Sequence, residues 1–184
     1  MRKNFGKQPW LYPMPVMIVS AYGENGVPCS MAVGWGGILD TGRISMCVMN
    51  YHKTTHNIQS SGAFTVGTAD YVHLKDCDYV GTVSGNDVPD KLKKTGFHLR
   101  RAEFVNAPLI EELPVSVECT FESYDPKTGT LIGKIVNVSA DESVLDENGV
   151  IDADRFTALA YDPAMNAYRT LGGLAGEATK VCRP

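Results

Sequence analysis

The spacing of apolar residues along the chain predicts a protein built mainly of β-strands. Residues 15–35, PVMIVSAYGENGVPCSMAVGW, contain two apolar runs joined by Asn25 and Gly26, and that pair is a strong hairpin signal. Residues 43–50, RISMCVMN, are apolar on both faces and therefore predict a central strand. Residues 64–68, FTVGT, predict another short strand.

The second half of the chain predicts a long hairpin. In residues 114–124, PVSVECTFESY, every second residue is apolar, which predicts a half-buried antiparallel strand with one polar face. Residues 125–129, DPKTG, form a turn signal, and residues 130–145 predict the returning strand. The closing segment, residues 152–173, predicts a short polar helix or turn and one further strand.

Three polar segments predict short helices between these strands. Residues 51–62, YHKTTHNIQSSG, predict a helix that begins near Thr54 and ends at Gly62. Residues 70–85 predict a second short helix with a loop, and residues 88–96 predict one or two helical turns between Pro89 and Gly96. Hairpins with a few inserted helices predict one mainly β domain over residues 1–184, a mostly antiparallel barrel with added short helices.

Composition and charge exclude several classes of protein. The chain has 184 residues and a formal net charge of -4, which gives no basis for nucleic-acid binding. No apolar run approaches the roughly 18 to 20 residues of a membrane span, and the N-terminus lacks the apolar core of a signal peptide, so a cytoplasmic protein is expected. The five cysteines form no C-x-x-C pair, and neither disulfides nor a zinc site is expected.

Standard catalytic and metal-binding motifs are absent from the sequence. The glycine-rich GWGGIL lacks the G-x-G-x-x-G spacing, and neither a P-loop nor a G-x-S-x-G motif occurs. His52 and His56 have the four-residue spacing of a helical zinc site, but Lys53 stands where a cation would repel the metal. No metal site is therefore predicted.

The residues at the start of the first predicted helix favour binding of an anion. A helix that begins near Thr54 would direct unsatisfied backbone N-H groups and a partial positive charge at a ligand. Lys53 would supply charge, and the hydroxyls of Thr54 and Thr55 would supply donors to a phosphate. A threonine N-cap on a solvated surface helix explains the same residues equally well.

Small residues around Trp35 favour a flat ligand nearby. The stretch CSMAVGWGGI places Ser30, Ala32 and several glycines beside this tryptophan, at the end of a predicted strand that enters a loop. Such residues let backbone approach a ring closely and present N-H and C=O groups to its polar edge. A core tryptophan with packing glycines is the structural alternative.

In their order and spacing these motifs resemble the flavin reductase-like FMN-binding family over most of the chain. The resemblance rests on residues 15–38, on 44–68, on VSGNDVPDKLKKTGF at 83–97 and on the closing AYRTLGG. It implies a split β-barrel, FMN as cofactor and a homodimer with the flavin near the subunit interface. An N-terminal arm, residues 1–13, is expected to pack on the barrel or on the partner subunit.

The resemblance also assigns residues to the flavin. Ser30, Met31, Ala32 and Val33 match the strand whose backbone runs beside the isoalloxazine ring, and Trp35 with Gly36 match a loop that closes over it. His52, Lys53 and Thr54 match the phosphate-binding turn, and Ser84, Gly85 and Lys91 match a segment that approaches the flavin. Relatives commonly have a hydroxyl residue at position 32, a basic residue at 86 and an aromatic one at 92, where this chain has Ala32, Asn86 and Leu92.

The implied function is that of an FMN-binding oxidoreductase. It would accept a hydride from NAD(P)H at the flavin and pass electrons to a second acceptor, without a catalytic side chain. A flavoredoxin-type carrier, with tightly held FMN, a redox protein as electron donor and little NAD(P)H turnover, is the alternative. A phosphate-binding module without a redox role is the third.

Overall fold

A computed structural model describes residues 1–180. The helices in this part of the chain are α1 Lys53–Ser61 and α2 Leu74–Thr82, with 3-10 helices at Lys91–Lys94, Glu142–Val144 and Ala153–Arg155. The strands are β1 Met14–Pro15, β2 Met17–Tyr22, β3 Pro28–Val33, β4 Gly36–Asp40, β5 Arg43–Cys47, β6 Ala63–Thr68, β7 Leu99–Arg101, β8 Pro108–Ile110, β9 Val115–Asp125, β10 Thr130–Ala140, β11 Leu159–Asp162 and β12 Ala167–Thr170.

Seven strands form one antiparallel sheet, and its two edge strands follow each other directly in the sequence. The order is β3-β2-β6-β9-β10-β5-β4, so β3 and β4 stand at opposite edges. Only Gly34 and Trp35 connect them, which forces the sheet to curl until its edges nearly meet. The backbone N-H of Cys47 donates to the carbonyl of Trp35 at 2.8 Å, which fixes this link to β5. The line where the edges meet is called the seam below.

The interior of the curled sheet holds the main apolar core. Phe64 is fully buried there and its ring lies over Gly133, where an added Cβ would be 2.3 Å from Cζ of the ring. Ile58 from α1 closes one end of this core. A second cluster fills the other face of β2 under α2 and the small β7–β8 sheet, and for this reason β2 is buried on both faces.

Most of the predicted elements are confirmed. The hairpins β2–β3 and β9–β10 form as expected, and the mainly β fold with added short helices is confirmed. Helix α1 starts at Lys53 and ends at Gly62, whose φ of 73° is the left-handed conformation that glycine favours. Its N-H donates to the carbonyl of Ile58 at 2.9 Å, which satisfies one of the last carbonyls of the helix.

Three expectations about the strands are wrong. The strand from residues 43–50, β5, is not central, because it lies between β10 and the edge strand β4. Position 36 was expected in a loop, whereas Gly36 is the first residue of β4. The closing segment contains two strands rather than one, because β11 and β12 form a hairpin that pairs through β11 with β1.

The predicted polar face of β9 is also wrong. Ser116 and Glu118 are buried, although the alternation placed them toward solvent. The carboxylate of Glu118 accepts from the backbone N-H of Phe104 at 2.8 Å and from Nδ2 of Asn137 at 3.1 Å. A loop before β8 therefore covers this face and supplies the donor that a buried carboxylate needs.

One contact ties the end of the N-terminal arm to its own chain. The hydroxyl of Tyr12 donates to the buried carboxylate of Asp162 at 2.6 Å, and Nε of Arg169 donates to the same carboxylate at 2.6 Å. These two hydrogen bonds lower the pKa of Asp162 to about 2. The remaining residues of the arm are exposed, and packing on a partner subunit stays a prediction. Within residues 1–180, no helix has the length and apolar character needed to cross a bilayer.

The contact between Phe64 and Gly133 yields the first prediction. Gly133→Ala would drive a methyl group into the Phe64 ring, and overpacking of this kind costs about 1–3 kcal/mol of unfolding free energy. Urea unfolding followed by circular dichroism measures the change. The matched control is Gly37→Ala in β4, where nothing lies within 4 Å of the added Cβ. Equal stability of the two variants would contradict the proposed packing.

Candidate functional site

A cleft of about 690 Å³ runs along the seam and is called the seam cleft. Its walls come from the end of β3 with Gly34 and Trp35, from residues 47–49 and 51–54, and from the end of α2 with residues 83–86. Val16 and Lys91, together with Tyr161, Asn166 and Tyr168 of the β11–β12 hairpin, complete the lining. Segments that are far apart in sequence therefore meet at the place where the sheet edges come together.

Most of the residues predicted for the site line this cleft. They come from β3, from the start of α1 and from the segment after α2, which are the three regions that the sequence indicated. They are Met31, Ala32, Val33, Trp35, His52, Lys53, Thr54, Ser84, Gly85 and Lys91.

Three predicted residues lie elsewhere. Ser30 is fully buried, and its hydroxyl forms a 2.6 Å hydrogen bond with that of Ser20. Gly36 packs inside the sheet, because an added Cβ would be 2.6 Å from the carbonyl oxygen of Ser45 and 2.8 Å from Cε of Met17. Thr55 is fully buried, and its Oγ1 has no hydrogen-bond partner within the described residues. None of these three residues lines the seam cleft.

The start of α1 gives the cleft a group of backbone donors. His52 is the N-cap in extended conformation, and its side chain makes no capping hydrogen bond. No acidic residue lies in the first turn, so the positive end of the helix dipole is not neutralised within the helix. The hydroxyl of Thr54 donates to Sγ of Cys29 at 3.4 Å, which leaves the backbone N-H groups as the donors for an anion.

Lys91 brings a buried cation to the cleft. Its Nζ donates to the carbonyls of Val80 at 2.7 Å and Val83 at 2.6 Å, which are among the last carbonyls at the end of α2. Within residues 1–180, no carboxylate forms an ion pair with this ammonium group, which has a third N-H to offer. Burial lowers the pKa of Lys91, and the nearby Cys29 acts in the opposite direction. A buried cation without a counter-ion favours binding of an anion.

His52 is the second titratable group near this cation. Burial lowers the pKa of its imidazole, and the charge of Lys91 lowers it further. The ring lies against that of Tyr51, with a centroid distance of 4.5 Å. His52, Lys53 and Lys91 together are called the basic cluster.

Small residues hold the walls of the cleft close together. A Cβ on Gly81 of α2 would be 2.7 Å from Cβ of Ala32 in β3. A Cβ on Gly85 would be 2.5 Å from Sγ of Cys29 and 3.3 Å from Cβ of Lys53. This crowding explains Ala32, because a larger side chain at that position would push α2 away from the sheet.

Among the lining residues that the sequence reasoning missed are four polar side chains, which form two hydrogen-bonded pairs. The hydroxyl of Tyr168 donates to Oδ1 of Asp78 at 2.8 Å, and that of Tyr161 donates to Oδ1 of Asn166 at 2.9 Å. Burial raises the pKa of Tyr168, and the hydrogen bond to Asp78 raises it further. The Pro and Asn in the stretch YDPAMNAY are a turn signal. A hairpin around this turn pairs Tyr161 with Tyr168, so the sequence could have indicated that the two tyrosines lie side by side.

A second cleft of about 820 Å³ lies beyond Lys53 and Gly85, which line both cavities. Although it is larger, it contains no other residue of the predicted site, so the seam cleft is the candidate site. His56 lines this second cleft, whereas His52 lines the seam cleft. The two histidines therefore do not meet around one metal ion.

The lining residues can bind and orient a ligand but do not form a nucleophile and base pair. Among the side-chain hydrogen bonds of residues 1–180, none joins a serine or cysteine to a histidine. The cleft instead offers a strand wall, aromatic rings and the basic cluster. Such a site suits a ligand that combines a flat ring with an anionic group.

Two solved structures are similar to this chain over almost its whole length. Flavoredoxin of Desulfovibrio vulgaris (Miyazaki F) has the same fold, with a TM-score of 0.94, 28% identity and full coverage of both chains. Flavoredoxin from Methanosarcina acetivorans gives a TM-score of 0.84 and 29% identity, over 98% of this chain and 96% of that one. The split β-barrel prediction is thereby confirmed.

The amino-acid sequence is also similar to known sequences. An uncharacterized protein of Aeropyrum pernix is 28% identical over 109 residues, and this chain spans only 41% of its length. The sequence model described as the flavin reductase like domain matches residues 10–167. The chain belongs to the flavin reductase-like family.

Proposed function

We propose that the protein is an FMN-dependent oxidoreductase that accepts a hydride from NAD(P)H and passes electrons to a second acceptor. The observation that carries this proposal is the seam cleft, which joins the wall formed by β3 to the start of α1 and to buried Lys91. FMN carries a flat ring at one end and a phosphate at the other, joined by a ribityl chain, and each end has a matching wall in the cleft.

The residues present fit this cofactor. The phosphate would be held by the backbone N-H groups at the start of α1, with Lys53 and His52 beside it. The ring would be held along β3 at Met31 and Val33, beside Trp35, whose side chain is about half exposed. Lys91 has no counter-ion within residues 1–180, so its positive charge attracts an anion to the same cleft.

Bound FMN would supply the hydride acceptance and the electron transfer. The protein itself would contribute fixed charges and would hold the cofactor in position. Lys91 lies in a low-dielectric wall, where a fixed positive charge stabilises negative charge that develops on a neighbouring group. Its two hydrogen bonds to α2 hold the ammonium group in place, so that little reorganisation is needed during reaction.

A flavoredoxin-type electron carrier is the second candidate function. The two flavoredoxins are similar to this chain over almost its whole length, which supports a tightly held FMN that exchanges electrons with a redox protein. A phosphate-binding module without redox chemistry is the third candidate. The three differ in what NADH or NADPH does to the bound flavin.

Anaerobic reduction separates these candidates. The protein is loaded with FMN, and its visible absorbance is followed after NADH or NADPH is added. Hydride transfer predicts prompt bleaching with at least one nucleotide, with turnover when a second flavin is supplied as acceptor. Bleaching by dithionite alone would favour the carrier. A protein that takes up no FMN would contradict both redox functions.

The position of His52 predicts a pH-dependent affinity for FMN. Burial and Lys91 keep the imidazole neutral at pH 7, and a bound phosphate would favour the protonated form. FMN affinity should therefore rise as pH falls through the pKa of His52, by about tenfold per unit that phosphate binding raises this pKa.

His52→Gln is the control for this titration. It removes the titrating group but keeps a polar side chain, and the phosphate's own protonation affects both proteins equally. The ratio of wild-type to variant affinity, measured by flavin fluorescence between about pH 8 and about pH 5.5, should grow toward low pH. A constant ratio would exclude His52 from the phosphate site.

We also propose a homodimer. The edge strand β4 exposes Ile38 and Leu39, and Trp35 just before this strand is exposed as well, so a second copy of the chain could cover apolar side chains here. Light scattering should give the mass of two chains, and a monomeric mass would contradict this.

A cytoplasmic location is supported by Cys29, Cys47, Cys77 and Cys119, which are free thiols.

A further inference from the structure

The seam cleft contains a second chemical cluster besides the basic one. Asp78, Tyr161, Asn166 and Tyr168 line it together and are called the acceptor cluster. The hydroxyl hydrogens of both tyrosines are already used, one by Asp78 and the other by Asn166. What this cluster can offer a ligand is therefore mainly oxygen lone pairs, whereas the basic cluster offers positive charge.

Asp78 is the central member of the acceptor cluster. It is the only carboxylate among the described residues that line the seam cleft. Oδ1 accepts from Tyr168, and within residues 1–180 no group donates to Oδ2 and no ion pair neutralises the charge. A half-buried carboxylate with one uncommitted oxygen is a strong acceptor for an N-H group and attracts positive charge.

The tyrosines hold this carboxylate in the cleft. Tyr161 and Tyr168 are paired across the β11–β12 hairpin, and their rings meet edge to face with centroids 6.4 Å apart. The bond from Tyr161 fixes the turn at Asn166, whose φ of 49° is left-handed. Tyr168 thus reaches α2 from a rigid hairpin, so Asp78 is oriented before any ligand arrives.

We propose that Asp78 binds the nicotinamide ring of the hydride donor by accepting a hydrogen bond from its carboxamide N-H group. This inference rests on the proposed function. The carboxamide is an uncharged donor that a carboxylate recognises, whereas the phosphate groups of the same nucleotide are repelled by Asp78 and are kept away from this part of the cleft. The acceptor cluster thereby determines which part of the nucleotide enters the cleft.

The charge of Asp78 also suits the reaction. In the proposed transfer a hydride would carry two electrons and one proton from the nicotinamide to bound FMN, so the donor would be oxidised to a pyridinium cation and the flavin would be reduced. Positive charge develops on the nicotinamide ring during this step. A carboxylate beside that ring stabilises the charge, and it binds the oxidised nucleotide more tightly than the reduced one.

The test uses Asp78→Asn in the FMN-loaded protein. Asparagine keeps an oxygen that can accept from Tyr168, but it removes the charge and presents an NH₂ group instead of an acceptor. The control is Asp76→Asn, which removes the same charge from the same helix. Asp76 accepts from the backbone N-H of Gly96 at 3.3 Å and does not line the cleft.

Three quantities are measured for each protein. They are the Kd of NAD⁺ or NADP⁺ for the oxidised protein, the dependence of flavin bleaching in stopped flow on the concentration of NADH or NADPH, which gives both the bleaching rate and the Kd of the reduced nucleotide, and the Kd of FMN. Asp78→Asn should weaken binding of the oxidised nucleotide by about tenfold, weaken binding of the reduced nucleotide less, and slow bleaching. FMN affinity should stay within about twofold, and Asp76→Asn should match the wild type.

The outcomes separate this inference from the function on which it rests. If wild-type protein is not bleached by either nucleotide, hydride transfer fails and the role of Asp78 fails with it. If it is bleached but Asp78→Asn binds and reacts like the wild type, only the role of Asp78 is overturned. A loss of FMN affinity in Asp78→Asn would mean that the carboxylate holds the flavin, which also overturns the inference.

Tyr168→Phe is a second variant in case Asp78→Asn folds poorly. It removes the hydroxyl but leaves the carboxylate, so the preference for the oxidised nucleotide should survive with a smaller loss of affinity. Disappearance of that preference in Tyr168→Phe, with the carboxylate still present, would contradict charge stabilisation by Asp78.

Discussion

The two-residue link from β3 to β4 is the constraint on which the rest of the structure depends. Because Gly34 and Trp35 must connect opposite edges of a seven-stranded sheet, the sheet curls into an almost closed barrel. The curl encloses the core around Phe64, and it leaves an incomplete closure at the seam. The seam cleft lies there, so the site is a consequence of how the barrel closes.

A second requirement is that α2 and the loop after it approach the sheet closely while the cleft keeps its positive charge. Gly81 against Ala32, and Gly85 against Cys29, bring α2 and the following loop to the strand. Lys91 then satisfies carbonyls at the end of α2 while its charge stays uncompensated by any carboxylate in the described part of the chain. The same lysine therefore completes the fold and gives the cleft its preference for anions.

Local patterns were sufficient to predict the parts of the structure that local forces determine. Asn25 with Gly26 predicted the first hairpin, and Gly62 predicted the end of α1, because each position requires a particular backbone conformation. The residues matched to the flavin family also led to most of the seam cleft. Family resemblance supplied their common location, which the spacing of residues alone could not.

The failures have long-range causes. Glu118 looked solvent-facing because alternation cannot reveal that a loop from a distant part of the chain covers β9. Gly36 looked like a ligand-contacting glycine, although it is required by the packing of Met17 and Ser45. Asp78 and Tyr168 were missed because they are 90 residues apart and meet only after the β11–β12 hairpin packs on α2.

The central claim is that the seam cleft holds a flavin whose phosphate lies at the start of α1 near Lys91. Equilibrium titration of the flavin-free protein with FMN and with riboflavin tests it most directly, since the two differ only in the phosphate. FMN is predicted to bind at least about tenfold more tightly than riboflavin, with the difference shrinking at high salt. Equal affinity for the two, or binding of neither, would contradict the account.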